Sequence, residues 1–333
     1  MKRSLFLIAG CLTAVVACEP HARDLARPGS RVWLHAHNCY PEQGRWSDRL
    51  DRALSLGVPT AIEQDLVWSV DPVSKRGRSV ISHEIELQGG EPTLEEHFFA
   101  RIGPQLERAL TENQRNTWPV LVLHLDFKTN EPEHHDAIWE LLGKYERWLT
   151  TAERVTDERR AMPLEVGPLL VLTENGTGQA ARFHDHVPVG SRLRLFGTLP
   201  SPDLGSNRAP EERAAAAIAA SPAELIPSGP TNYRRWTNFA WDVVEHGGQS
   251  SAADWTSQDA ERLGALVSRA HDQGLWIRFF TLNGHEPGRG DGWTEGYNFR
   301  SLDAVRARWR AAIDAGVDFI GTDQYEGLAA LLE

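Results

Sequence analysis

Short apolar runs of strand length recur along this chain with longer amphipathic stretches between them, and no Gly/Ser/Pro-rich linker breaks the series. That alternation confines the chain to α/β architectures, because each strand has to bury its faces against the helical stretches beside it. The runs are Val32-Trp33-Leu34, Thr60 through Val67, Val120 through Asp126, Pro168 through Leu172, Arg192 through Phe196, Asn238 through Trp241, Trp276 through Leu282 and Phe319 through Thr322. Helical patterns fall at 48–56, closed by Gly57, and around 134–149, 211–220, 256–273 and 301–315. The order predicts a single, distorted (β/α)8 TIM-like barrel over residues 31–333, with an active site at the C-terminal ends of the strands. An open parallel sheet would alternate in the same way. However, no Gly-rich dinucleotide loop follows the first strand, and Gly176-Thr177-Gly178 is too slight a signal for a phosphate loop.

With 333 residues, 41% of them hydrophobic, the chain can build one large core. Its net charge of −11 argues against a broad nucleic-acid surface and against general adhesion to anionic membranes, while leaving room for a small cationic phosphate pocket. Lys2 and Arg3 precede the apolar run Leu5 through Gly10, and small residues lead to Cys18. The run is too short for a membrane span and reads as an export signal over 1–17. Val15-Val16-Ala17-Cys18 resembles a bacterial lipoprotein processing box. That resemblance implies a lipidated Cys18, a mature tether over 18–30 and a periplasmic or outer-membrane-associated protein, secreted if the lipid is absent. Cys39 is then alone in the body; no disulfide framework exists, and it reads as a small packing residue.

The chemistry-bearing residues cluster near the first strands. His37-Asn38 is followed by Glu63-Gln64-Asp65 and by His83. An extended backbone puts Glu63 and Asp65 on one face, with Ile62, Gln64 and Leu66 on the other. Carboxylates with an amide oxygen make a hard-ligand set, suited to one Ca²⁺ or Mg²⁺ ion rather than to structural zinc. Histidine titrates near pH ~6.5, so either imidazole can give or take a proton close to neutrality. His35 is placed to contact phosphate or to support His37. Glu174, after a strand, reaches the same barrel mouth as a substrate-binding residue. Asp323 reads as support for the last loop, His184-Asp185-His186 as a polar loop, and Trp241, Trp276, Phe279 and Phe280 as core.

The segment His35-Ala36-His37-Asn38 resembles the opening of the phospholipase C-like phosphodiesterase superfamily, which includes the glycerophosphodiester phosphodiesterases. The resemblance implies a (β/α) barrel with divalent-metal chemistry. His37 and His83 match its catalytic histidines, Asn38, Glu63 and Asp65 its metal-ligand positions. His124-Leu125-Asp126-Phe127-Lys128 resembles its third-strand segment, placing Asp126 near metal and Lys128 near phosphate, and Gly316 through Asp323 resembles its last strand and loop. Two departures stand out: His37-Asn38-Cys39 replaces the usual His-Arg-Gly opening, and Pro41-Glu42-Gln43-Gly44 replaces Glu-Asn-Thr. His-Asn is instead similar to the phosphoinositide-specific branch.

The function expected is metal-dependent hydrolysis of glycerophosphodiesters to glycerol 3-phosphate and an alcohol, with His37 as base and His83 as acid. The close alternative is phospholipase C-like cleavage of an inositol phospholipid through a cyclic phosphate. The nonenzymatic alternative is a lipid- or carbohydrate-binding barrel with an inactive site. The expected partner is a phosphodiester or phospholipid headgroup, with membrane association through the Cys18 lipid and no nucleic acid.

Overall fold

The computed structural model describes residues 25–42, 44–204, 209–286 and 295–333. The export signal and Cys18 lie outside the described residues. No described helix is long and apolar enough to cross a membrane.

Eight parallel strands close into a barrel. They are β1 (Trp33–Ala36), β2 (Thr60–Val70), β4 (Leu121–Phe127), β6 (Leu169–Thr173), β8 (Phe196–Thr198), β9 (Arg234–Ala240), β10 (Trp276–Phe280) and β11 (Phe319–Thr322). Closure is made by β1, which pairs with β2 on one side and β11 on the other. Two additions distort the regular plan. Beyond the barrel, β2 continues into an antiparallel hairpin with β3 (Gly77–Ile81), while β5 (Ala152–Glu153) and β7 (Arg192–Leu193) form a separate ribbon.

Local chemistry marks the helices that pack outside. α1 (Arg49–Ser55) precedes β2, α2 (Ala100–Thr111) follows the hairpin, and α3 (Pro132–Lys144) follows β4. Between β8 and β9 run α4 (Pro210–Ala219) and the short α5 (Pro222–Leu225). α6 (Ser257–Gln273) opens on a reciprocal cap between Thr256 and Asp259 and closes at Gly274, whose φ of 80° is the left-handed turn that glycine adopts without a Cβ penalty. α7 (Leu302–Ala315) opens on a one-way cap, Ser301 accepting from the Ala304 N–H, and closes at Gly316, and α8 (Tyr325–Leu332) completes the ring.

Strand alternation divides the core in two. Leu34, Ile62, Leu123, Leu125, Ile277 and Ile320 face the helices, whereas Trp33, Ala61, Val122, Leu170, Trp236, Trp276 and Phe319 fill the barrel. The run 192–196, expected as one strand, is split. Leu193 and Phe196 both pack inward, and a strand repeats its face every two residues, so the chain bends between them. α2 is not expected from the sequence; it continues directly from a π-turn over Glu95–Phe99 and carries Pro104 inside it. Residues 25–30, assigned to a tether, are docked instead: Ala26 is buried and the Gly29 N–H donates to Asp318 Oδ1 at 2.7 Å.

Candidate active site

Inward positions along the strands change character toward the C-terminal ends. Above the apolar floor lies a buried polar layer of His35, Glu63, His124 and Arg278, joined by the half-buried Asn238. Such a layer is tolerated only where charges and hydrogen bonds are matched. Glu63 Oε1 lies 3.0 Å from Arg278 Nη2 and 3.2 Å from His124 Nδ1. His124 Nε2 is 3.0 Å from Glu174 Oε1, which also accepts from Asn238 Nδ2 at 2.7 Å, and Arg278 Nη1 donates to Asn238 Oδ1 at 3.2 Å. Burial drives the Glu63 carboxyl upward, but Arg278 and the two histidines outweigh it and hold it well below the usual range. Burial likewise disfavours the His124 cation, yet Glu174 and Glu63 prevail and raise it to about 9. His35 is held well below the usual histidine range by burial and by Arg278. Neither of its ring nitrogens has a hydrogen-bond partner among the described residues, and its ring lies 5.1 Å from that of His124, tilted by 58°.

His37 stands one layer higher, at the end of β1. Its Nδ1 is 3.2 Å from Asp323 Oδ1, and its Nε2 is 3.8 Å from Glu63 Oε2. Asp323 is fixed in turn by Arg49 Nη1 at 3.0 Å and Asn283 Nδ2 at 2.6 Å. The Tyr325 hydroxyl donates to the His37 carbonyl at 2.7 Å. Burial opposes the imidazolium, but Asp323 and Glu63 raise its pKa above the ordinary value. Asn38 turns the chain with φ of 45°, and its N–H donates to Glu63 Oε2 at 3.1 Å.

The second ionic cluster is Glu63, Asp65 and Asp126, whose carboxylate oxygens come within 4.8 Å of one another. The register of β2 on β4 sets Glu63 opposite His124 and Asp65 opposite Asp126. Lys128 Nζ is 2.8 Å from both Asp65 Oδ2 and Asp126 Oδ2. Burial first, then Asp126, pushes the Asp65 carboxyl up to about 7 despite Lys128. Three convergent carboxylates, one of them short of counter-charge, fit a hard divalent cation. Glu63, Asp65 and Asp126 would hold it, with the Asn38 amide beside them.

These groups meet at a cavity of about 580 Å³. His37, Asn38, Glu63, Asp126, Lys128 and Glu174 line it, and so does the half-exposed His83, which comes from the segment after β3 and lies 3.1 Å from Glu84 Oε1. Asp65 lies beneath Lys128, outside the lining. His35 also lies outside the lining, which corrects the expectation that it contacts phosphate: its ring is enclosed by His124 and Phe319. Glu174 does reach the mouth, but as an acceptor for His124 and Asn238; a carboxylate has no hydrogen to donate to a phosphate oxygen. Phe280, expected in the core, lines the cavity.

Arg278, Asn238, Arg49 and the positioning role of Asp323 are not singled out by any sequence pattern above. Arg278 sits in the apolar run Trp276–Phe280, where its inward parity was the available signal. His124, two residues before Asp126, had the same signal.

No protein-family model matches the chain, and no curated protein does. Among solved structures, a calcium-dependent phosphoinositol-specific phospholipase C from Pseudomonas sp. is 10% identical, with 93% of this chain and 92% of that one covered at a TM-score of 0.48. A glycerophosphoryl diester phosphodiesterase from Parabacteroides distasonis is 12% identical over 92% and 88% at 0.39. A dihydropteroate synthase from Xanthomonas albilineans is 14% identical over 92% and 91% at 0.36. The chain is a (β/α)8 barrel by its own strand pairing, with an ionic site at the strand ends. The chemistry of that site rests on its residues, since barrels of one shape host unrelated reactions.

Proposed function

We propose that this barrel is a metal-dependent phosphodiesterase that cleaves glycerophosphodiesters by histidine acid/base catalysis. One observation carries the reading: an imidazole fixed at Nδ1 by a buried carboxylate presents Nε2 beside a three-carboxylate cluster and a lysine, in a cavity of substrate size. The Asp323 contact selects the His37 tautomer and orientation, leaving Nε2 to exchange a proton with water or with a substrate hydroxyl. His83, half-exposed at the rim, is placed to protonate a leaving oxygen. Lys128 and Arg278 offset the charge of the phosphate, each restrained by carboxylates that fix its position. Ca²⁺ or Mg²⁺ bound by Glu63, Asp65 and Asp126 would supply Lewis acidity toward a phosphoryl oxygen.

The test is product analysis on glycerophosphocholine with each metal, for wild type, His37→Ala and Glu63→Ala. The expected products are glycerol 3-phosphate and choline, lost in both variants while circular dichroism is unchanged. A cyclic inositol phosphate from an inositol phospholipid would replace this reading with the phospholipase C-like one. Binding of phosphodiesters without turnover in any metal would leave a binding barrel. We also propose export of the protein and lipidation of Cys18; labelled fatty acid incorporated by wild type but not by Cys18→Ser is the expected result.

A further inference from the structure

The end of the barrel opposite the active site holds a second cavity, of about 370 Å³. It lies at the N-terminal ends of β9 and β10, between the segment that leads into β6 and the docked residues 26–28. Its walls are apolar: Ala26 and Trp276 are buried, and Met162, Leu164 and Val166 stand half-buried around them. Two residues of the lining carry charge, and both are arginines, the exposed Arg27 and the buried Arg235, which is 8% exposed. Among the described residues no carboxylate lines the cavity.

Arg235 is the second residue of β9. Its Nη2 donates to the Met162 carbonyl at 2.8 Å and to the Asn232 carbonyl at 3.2 Å, and the guanidinium carbon lies 5.6 Å from the centre of the Phe196 ring. All three partners are neutral. Its Nε has no hydrogen-bond partner among the described residues, and burial lowers its pKa to about 10 with no carboxylate opposing the shift. Carboxylates on the adjoining segments are committed to other cations: Glu158 to Arg234, Glu165 to Arg192 and Asp318 to His271.

A buried cation with only neutral partners is costly, and an incoming anion offsets that cost. A small, strongly hydrated anion such as phosphate would lose its water against Met162 and Leu164 without replacing it, so the fitting ligand joins one anionic group to an apolar body. The volume falls within the roughly 300–1,000 Å³ of small-ligand pockets. We propose that this cavity binds a free carboxylate amphiphile of the fatty-acid type, its carboxylate against Arg235 and its chain against Met162, Leu164 and Trp276. The site stands apart from the phosphodiesterase reading, whose residues lie at the opposite strand ends.

Calorimetry should compare octanoate, octanol and acetate on wild type, Arg235→Met and Leu164→Trp. Wild type should bind octanoate about tenfold more tightly than octanol, for the charge, and at least about tenfold more tightly than acetate, for the chain. Arg235→Met keeps an apolar stem without the charge and should bring octanoate and octanol within about twofold. Leu164→Trp keeps Arg235 but fills the space, and should weaken octanoate at least about tenfold. His37→Ala should bind octanoate as wild type does. Octanoate no tighter than octanol in wild type, a preference that survives Arg235→Met, or acetate as tight as octanoate overturns the site. Should the Arg235 variant fail to fold, unchanged octanoate affinity in Leu164→Trp overturns it equally. Binding lost in His37→Ala would move the ligand to the catalytic cavity and overturn it too.

Discussion

His37 Nδ1 and Asp323 Oδ1, separated by 286 residues of chain, lie 3.2 Å apart where the first and last barrel strands meet. Parallel pairing of β1 with β11 brings the two strand ends together, and Arg49 and Asn283 hold the carboxylate in place. The contact turns an ordinary strand-end histidine into one with a defined tautomer.

Asp323→Asn should therefore lower kcat by about 10²–10⁴-fold with little change in KM, because an amide no longer favours the Nδ1–H tautomer. Steady-state kinetics on the diester substrate checks it. Retained kcat in a folded variant would remove Asp323 from the positioning of His37.

His83 carries a different expectation, since it sits half-exposed at the rim of the cavity, with Nδ1 3.1 Å from Glu84 Oε1. His83→Ala should keep the wild-type melting temperature within about 2 °C, while turnover of a substrate with a poor leaving alcohol falls about 10²-fold or more. An activated nitrophenyl ester, whose leaving group needs no protonation, should be far less affected. Equal losses on both substrates would contradict the acid role.

Lys128 lies between two carboxylates, so Lys128→Met leaves Asp65 and Asp126 repelling each other in a buried setting. The cost should be about 3–5 kcal/mol. Ca²⁺ or Mg²⁺ should restore part of that loss in a thermal melt, whereas Asp126→Ala should weaken binding of the same ion at least about tenfold by calorimetry, given the loss of one of three charged ligands. Metal that leaves the melting curve of the Lys128 variant unmoved would argue against the carboxylate cluster as an ion site.

Two histidines outside the site govern stability in acid. His97 and His134 are buried, and burial pushes each down to about 4. Unfolded, each titrates near pH ~6.5, so below that value the unfolded chain binds protons that the folded chain resists. The contribution of these two histidines should be level above pH 6.5 and fall as the pH drops from there toward 4, each on the order of 2–3 kcal/mol at the lower end, whereas His124, raised to about 9, acts in the opposite sense above pH 6.5. Urea melts of wild type and His134→Gln across this range check it: the variant should show the shallower decline.

Much of the site was legible because strand parity is a local property. Glu63 and Asp65 occupy alternate positions of one strand and do share one ionic cluster, while Asp126 and Lys128, just past the end of β4, are placed there by the family resemblance of their segment. The same rule held Arg278 in view, but a lone arginine among Trp276, Ile277, Phe279 and Phe280 gives no sign that its partner is Glu63, 215 residues away. For His35, parity put the ring inside the barrel without telling how deep; one layer separates it from the cavity that His37 lines.

What the chain settles by itself is the alternation of elements, the inward or outward sense of each strand residue and the supply of imidazoles and carboxylates, since these follow from backbone periodicity and residue chemistry. Tertiary structure alone decides which of those groups touch. Closure of β1 onto β11 makes the His37–Asp323 pair, and β2–β4 register makes the carboxylate cluster. Contacts between residues hundreds of positions apart depend on barrel closure and register, which the packing of the whole sheet fixes at once and no local stretch encodes.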